Sequence, residues 1–396
     1  MLKALVALVL TAVLGYLLAR HSKEIRSNVA ERDSIAYWTA GRLLLVHQNP
    51  YDTHAVLVLE SQSGYRQDRP LVLRTPPWSL FTVLPLGLVS PLGAWVLWTA
   101  MSLSSLLIAM RTCWTLYGTE GVPRNLFSLV GYTFAPIPAC LVAGQMGLVL
   151  LLGLVLFLLW ERDHPFWAGA ALILPFAKPH LLSLFWLGVL FWMIHRKKRA
   201  VAFGLGAALA MAIGLALAFD PSVFRHYREM VSEAAIGYEF IPALSGVLRL
   251  LFFRRLFWIQ FIPMIAGLVW AAWFLWRQRQ NWDWRQHVPI LLVVSVLTTP
   301  YAWLTDEVVL LPAMLQAVVF VCQTRTKMKA ATRVALLAFG FMDALLLLIL
   351  RFKIPFSTGI YFWSSLVWFS WYVYAYSLHS RSSHADQSLN IVEAAH

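Results

Sequence analysis

The chain has 396 residues, of which 60% are apolar and 13% charged, with a mean hydropathy of +0.66. A water-soluble domain of this length carries about twice that charged fraction and shows apolar stripes rather than long apolar runs, so a soluble enzyme is excluded. The formal charge of +13 would raise nucleic acid as a partner in a soluble protein; in a chain built of apolar runs its distribution matters instead, and no nucleic-acid partner is expected.

A run of about 20 apolar residues spans the roughly 30 Å core of a bilayer. Leu2 to Ala19 reads as a retained first span, because its apolar part is long and no small-x-small cleavage site precedes Arg20. In the hydrophilic segment 20–74, Ile35, Trp38, Leu44 and Leu45 interleave with Arg32, Arg42 and Gln48, a pattern for a short amphipathic helix at the interface. Asn49-Pro50-Tyr51-Asp52 ends it with turn chemistry. Further spans are expected near 72–89, 92–110, 126–142, 144–160, 165–194, 200–219, 256–276, 288–304, 307–322, 333–350 and 358–378, about twelve in all. Two of these carry breaks, Pro76, Pro77 and Pro85 in one, Pro175, Lys178 and Pro179 in the other; each is a kinked span or a pair of re-entrant pieces. In the second hydrophilic segment, 220–255, Asp220-Pro221 starts one helix and Ser245 to Phe253 forms another. The expected architecture is an all-α polytopic membrane protein with a single transmembrane domain over 1–378, helices in its two outer loops, and a polar, mobile tail over 379–396.

Orientation follows from the basic residues. Lys3, the run Arg196-Lys197-Lys198-Arg199, Arg277, Arg279, Arg285, Arg325, Lys327, Lys329, Arg333 and Arg381 share one side with only three acids, Asp283, Asp386 and Glu393. The positive-inside rule makes that side cytoplasmic. Both termini then lie inside, and 20–74 and 220–255 face outwards.

Four places carry residues able to do chemistry. Asp33, at the start of the first loop helix, is a general base towards a hydroxyl group or an N-cap. Thr298 to Glu307 places Tyr301, Trp303, Asp306 and Glu307 at a join between spans; the acids orient a sugar or a cation, or cap the next span. Lys178, beside His180, sits in an apolar run, where an ionisable group faces a cavity or partner or snorkels to the interface. Arg249, Arg254 and Arg255 match phosphate oxygens or meet lipid headgroups. Gly144-Gln145 is helix punctuation or an amide facing a polar cavity, and Asp343 reads as a structural pairing. Cys113, Cys140 and Cys322 have no paired spacing, so neither a disulfide nor a zinc site is expected. No phosphate-cradling glycine loop, zinc-helix motif or nucleophile elbow occurs, so neither nucleotide hydrolysis nor soluble-type hydrolase chemistry is expected.

Together these segments resemble glycosyltransferase family 87 of the GT-C superfamily. The resemblance rests on Asp33-x-x-x-Tyr37-Trp38-x-Ala40, Asn49-Pro50-Tyr51-Asp52, Thr75-Pro76-Pro77, Gly144-Gln145, Lys178-Pro179 and Thr299-Pro300-Tyr301-Ala302-Trp303-x-x-Asp306, in the family's order. It departs from the family pattern at Ser34, where Phe is common, and at Gly147, where the usual motif has Asn. The resemblance implies a GT-C-like helical bundle in the cell membrane. It implies an inverting hexosyltransferase that passes a sugar, mannose in the characterised members, from a polyprenyl-phosphate donor to a glycolipid or glycan hydroxyl on the outer face; the phosphate leaves already deprotonated, so no general acid, metal or cofactor is expected. Asp33 matches the family's base; Tyr37, Gln145, Lys178, His180, Arg249, Arg254, Arg255, Tyr301 and Asp306 are the expected substrate contacts. Rival readings are a polysaccharide polymerase or ligase, and a flippase or transporter of lipid-linked sugars; a transporter would show repeated halves with matching broken helices, which the sequence lacks.

Overall fold

In hydrocarbon every backbone N–H and C=O has to be paired within its own segment, which a helix does and an open strand does not. The computed structural model describes residues 28–234, 241–252, 255–323, 329–355 and 358–394, and among these it contains helices and turns and no strand. In chain order the helices are α1 (Asp33–Leu45), α2 (Thr53–Gln62), α3 (Pro91–Tyr117), α4 (Arg124–Thr133), α5 (Pro136–Ala143), α6 (Gly147–Trp160), α7 (Pro165–Ala171) and α8 (Ser183–His195). They continue as α9 (Arg199–Phe219), α10 (Val223–Glu233), α11 (Leu244–Phe252), α12 (Ile262–Gln278), α13 (Trp284–Thr298), α14 (Leu311–Gln323), α15 (Lys329–Arg351) and α16 (Ser364–Ala394).

The chain is an all-α polytopic membrane protein. Five described helical stretches are long and apolar enough to cross a bilayer: α3, α9, Phe257–Gln278, Leu304–Gln323 and Ala330–Arg351. Two bent pairs are each a broken span or a re-entrant loop, α4 with α5 at 42° and Pro165–Ala177 with Pro179–His195 at 116°. The expected dozen is not reached on these criteria, for physical reasons. Segment 72–89 forms no span but two short 3-10 pieces, Pro77–Thr82 and Leu84–Leu88, because its prolines lack the N–H and the backbone freedom that a continuous helix needs. Helices α6 and α13 have only 14 and 15 residues. The expected span 2–19 lies outside the described residues. At the other end α16 runs through the expected mobile tail to Ala394.

The chain divides into two compact units, residues 1–100 with 212–234, and residues 101–211 with 235–396. In the first unit α1 is not the interfacial amphipathic helix expected. Ten of its 13 residues are buried, since small residues let backbone reach backbone: a Cβ on Gly41 would lie 2.3 Å from the Val83 carbonyl oxygen. The Trp38 indole donates to the Val89 carbonyl at 2.9 Å, fixing α1 to the chain just past the second 3-10 piece. Asp52 caps α2, accepting from the N–H groups of His54 and Ala55, both at 2.9 Å, and the Tyr51 hydroxyl donates to the Thr75 carbonyl at 3.0 Å. The motifs at 49–52 and 75–77 are therefore one tied structure.

In the second unit Leu304–Gln323 is the central element, 94% of its apolar stretch being buried. A cluster of edge-to-face rings, Phe157, Phe185, Trp192 and Trp284, with centroids 4.9–6.1 Å apart, locks α6, α8 and α13 together. Segment 165–195 is re-entrant rather than a crossing. Before it, Arg162 pairs with Asp283 at 2.9 Å; after it, Arg196 donates to the Gln280 carbonyl at 2.6 Å. Both ends of the segment thus meet the turn that precedes α13. Its bend reaches the opposite end of α13, where the Ser295 hydroxyl donates to the Leu181 carbonyl at 3.1 Å and accepts from the Leu184 N–H at 3.3 Å. A bent backbone leaves carbonyl and N–H groups without helical partners, and Ser295 satisfies one of each.

Candidate active site

The tip of this re-entrant segment carries Lys178. Pro175 and Pro179 flank it, and its backbone is neither helical nor extended, at φ −130° and ψ 70°. The ammonium lies 2.7 Å from Asp306 Oδ1 and 3.3 Å from Gln145 Oε1, with side-chain exposures of 13% for Lys178 and 3% for Asp306. Snorkelling is therefore not its role; it is one half of a nearly buried ion pair. Asp306 also accepts the Trp303 N–H at 3.2 Å, so the capping and charge-pairing roles fall on one carboxylate. Gln145 is set in place by Gly144, which ends α5 in the left-handed region at φ 73°, where glycine pays no Cβ penalty.

Around this pair stand other expected residues. The His180 ring meets the Tyr301 ring edge-on at 5.7 Å, and Thr299 joins their two segments by donating to the His180 carbonyl at 3.0 Å. Tyr301 packs against Phe257 and Phe261 at 6.3 and 6.1 Å, and the buried Arg249 guanidinium lies 5.5 Å from the centre of the Phe257 ring. Burial raises the Tyr301 phenol above its ordinary range, and the Arg249 charge opposes that shift. Of the three arginines, Arg249 is buried, Arg255 is exposed beyond the end of α11, and Arg254 lies outside the described residues. Glu307 is buried and accepts from the Ser364 hydroxyl and, at 3.0 Å, from the Trp368 indole, which ties α16 to the central element. Asp343 accepts the Ala135 N–H at 2.6 Å, the structural pairing expected of it.

Within the first unit Asp33 is the first residue of α1, not its N-cap. That position is Arg32, which makes no side-chain cap hydrogen bond. Tyr37 is buried, its ring edge-on to Trp98 at 4.6 Å. Sequence reasoning passed over Glu60. It is wholly buried, one oxygen accepting the Leu71 N–H at 3.1 Å and the other making no hydrogen bond. Burial, opposed by the Leu71 hydrogen bond and assisted by the Asp33 charge, pushes its carboxyl up to about 7. The signal was present: Glu60 ends the apolar run Ala55-Val56-Leu57-Val58-Leu59.

What the second unit assembles is an amide, an ammonium, a carboxylate and a guanidinium beside aromatic faces, the donor and acceptor set that a charged sugar derivative needs. The model of glycosyltransferase family 87 matches residues 75–300, more than half of the chain. The chain belongs to glycosyltransferase family 87. No curated protein and no solved structure matches it. Within the segment that matches family 87 lie Thr75-Pro76-Pro77, Gln145, Lys178, His180 and Arg249, whereas Asp33, Tyr301 and Asp306 lie beyond its ends. Family 87 membership makes the protein a membrane glycosyltransferase.

Proposed function

We propose that this glycosyltransferase moves a hexose, with mannose the first sugar to test, from a polyprenyl-phosphate donor to a hydroxyl of a glycolipid or glycan on the outer face of the cell membrane, with inversion. The observation that carries this reading is Lys178 held at 2.7 Å from Asp306 and 3.3 Å from Gln145. Placing a lysine there is costly, and the prolines and Ser295 that bend the chain around it serve no purpose in a simple span.

In the reaction the acceptor oxygen attacks the anomeric carbon from the face opposite the phosphate, the carbon–oxygen bond to phosphate breaks, and Asp33 takes the hydroxyl proton. The polyprenyl phosphate departs as an anion and needs no proton. Stabilising that developing charge is the task of fixed cations. Lys178 is largely neutralised by Asp306, so it offers directed N–H groups to the donor, while Arg249 supplies net charge; Gln145 and Asp306 accept from sugar hydroxyls. Purified protein in liposomes, offered a panel of polyprenyl-phosphate sugars and nucleotide sugars, tests the reading. Transfer from a polyprenyl-phosphate hexose with inverted configuration is expected. Transfer only from nucleotide sugars, or only of a preassembled oligosaccharide, would overturn it.

A further inference from the structure

Helix α9, one of the helices long and apolar enough to cross the bilayer, ends at Phe219, and α10 begins at Val223. The elbow between them is fixed. One oxygen of Asp220 accepts the Ser222 N–H at 2.9 Å and the other lies 2.7 Å from His226 Nδ1, while the His47 ring stacks on Phe219 with centroids 5.6 Å apart. Beyond the elbow α10 has three unlike sides. The first is spent on protein, with Val223 and Met230 buried and the Tyr227 ring 5.4 Å from that of Tyr51. The second carries Phe224, Arg228 and Val231, whose i, i+4, i+7 spacing sets them on one side of the helix. Phe224 is 39% and Val231 41% exposed, with Arg228 exposed between them. The third carries Arg225, Glu229 and Glu233, all exposed, with Arg225 3.9 Å from Glu229.

Both acids of α10 thus stand on one exposed side and both of its exposed large apolar residues on the other, together with an arginine. Water on both sides would not require that sorting. A bilayer surface would, because an arginine lays its stem along apolar neighbours and holds its guanidinium at headgroup level, which the shorter acidic side chains cannot do. We propose that α10 lies on the bilayer surface beside the end of α9, with Phe224 and Val231 inserted below the headgroups, Arg228 at their level, and Glu229 and Glu233 turned to water. Lipid is the occupant that the fold supplies, since a helix tied by a short hydrogen-bonded elbow to a bilayer-crossing helix stays at the interface. Two apolar side chains and an arginine also fall well short of the roughly 20–30 residues that each side of a stable protein interface contributes. Through Tyr227 and Tyr51 the docked helix sets the height of the 49–52 turn above the hydrocarbon. The proposal holds whatever sugar donor the protein uses.

The test uses the full-length protein in phosphatidylcholine nanodiscs, in a background lacking Cys113, Cys140 and Cys322. One nitroxide at a time is attached to Phe224→Cys, Val231→Cys, Glu229→Cys or Glu233→Cys. Its collisions with molecular oxygen, which concentrates in hydrocarbon, are compared with those of a water-soluble nickel chelate. All four side chains are exposed, so each variant should keep the thermal midpoint of the background. Labels at 224 and 231 are expected to favour oxygen, at a depth of about 5–10 Å below the headgroup boundary, and labels at 229 and 233 to favour the nickel chelate. Three results would each overturn the proposal. Labels at 224 and 231 as open to the nickel chelate as those at 229 and 233 would place the whole exposed surface of α10 in water. Labels at 224 and 231 shielded from both reagents would mean that protein, a second copy or another partner, covers that side. Labels at 229 and 233 lying deeper than those at 224 and 231 would mean that the opposite side meets the lipid.

Discussion

Lys178 and Asp306 answer differently to being changed singly and together. Removing one member leaves the other charged in a nearly dry site, which costs about 3–5 kcal/mol, whereas replacing both with neutral groups is often close to neutral. Lys178→Met should therefore lower the thermal midpoint sharply, and adding Asp306→Asn should restore most of it while transfer stays low. Full transfer by the restored double variant would reduce the pair to a structural role. Asp33 separates stability from chemistry more cleanly. As the first residue of α1 it contributes a charge–dipole interaction of about 0.3–1 kcal/mol, while a general base contributes roughly 10² to 10⁴ in rate. Asp33→Asn should fold, bind donor and transfer sugar at least about a hundredfold more slowly; near wild-type turnover would leave the proton to another group. Glu60 gives a pH dependence of definite sign. Its carboxyl is raised from 4.5 to about 7 in the fold, so the folded state holds a proton that the unfolded state releases. Stability should fall as pH rises between those values and level off above about 7. Glu60→Gln should flatten that part of the midpoint-against-pH curve.

At the level of elements, what the sequence reveals depends on whether a rule has one structural solution. A polar group inside an apolar run has to meet a partner, so Gln145, Lys178 and Asp306 could be picked out singly, and the fold brings all three together. The prolines at 76, 77, 85, 175 and 179 announced breaks but not their outcome, because a kink and a re-entrant turn begin with the same missing N–H. Only the contacts of Arg162 and Arg196 with the turn before α13 decide that 165–195 returns to the end it left. Helix α1 departs from its sequence pattern for a related reason. Its alternation of arginine and leucine suits an interface, yet Ala36, Ala40 and Gly41 allow burial on nearly every side, and small residues score as neither face. Gly41→Val is accordingly expected to destabilise the first unit severely, because backbone at 2.3 Å cannot give way as a flexible side chain would. Gly214→Val, with open space around it, is the matched control; equal loss in thermal midpoint for both would remove the argument for close packing.

For the whole molecule, the re-entrant segment changes the count of crossings and so the side on which a loop emerges. Residues 161–163 join the turns at 196–198 and 279–283, the strongly basic loops, and Thr119 accepts from the Gln323 side chain at 3.0 Å. Single cysteines in a background lacking Cys113, Cys140 and Cys322 test this. Positions Ser63 and Ser232 should react with an impermeant thiol reagent from outside sealed cells, and Asp163 and Gln323 should not. Labelling at 163 with protection at 323 would restore a crossing at 165–195. The partner that Lys178 requires is also 128 residues further along the chain. A ribosome adding about 5–20 residues per second takes roughly 6 to 26 seconds to supply it. During that interval the hairpin has been made and its lysine has no carboxylate to meet, so it has to wait in a wetter environment and dock late. Nascent chains halted at residue 300 should therefore be cut near Lys178 by added protease, and chains halted well past residue 323 should resist, which would make Asp306 the latch that closes assembly as well as a member of the site.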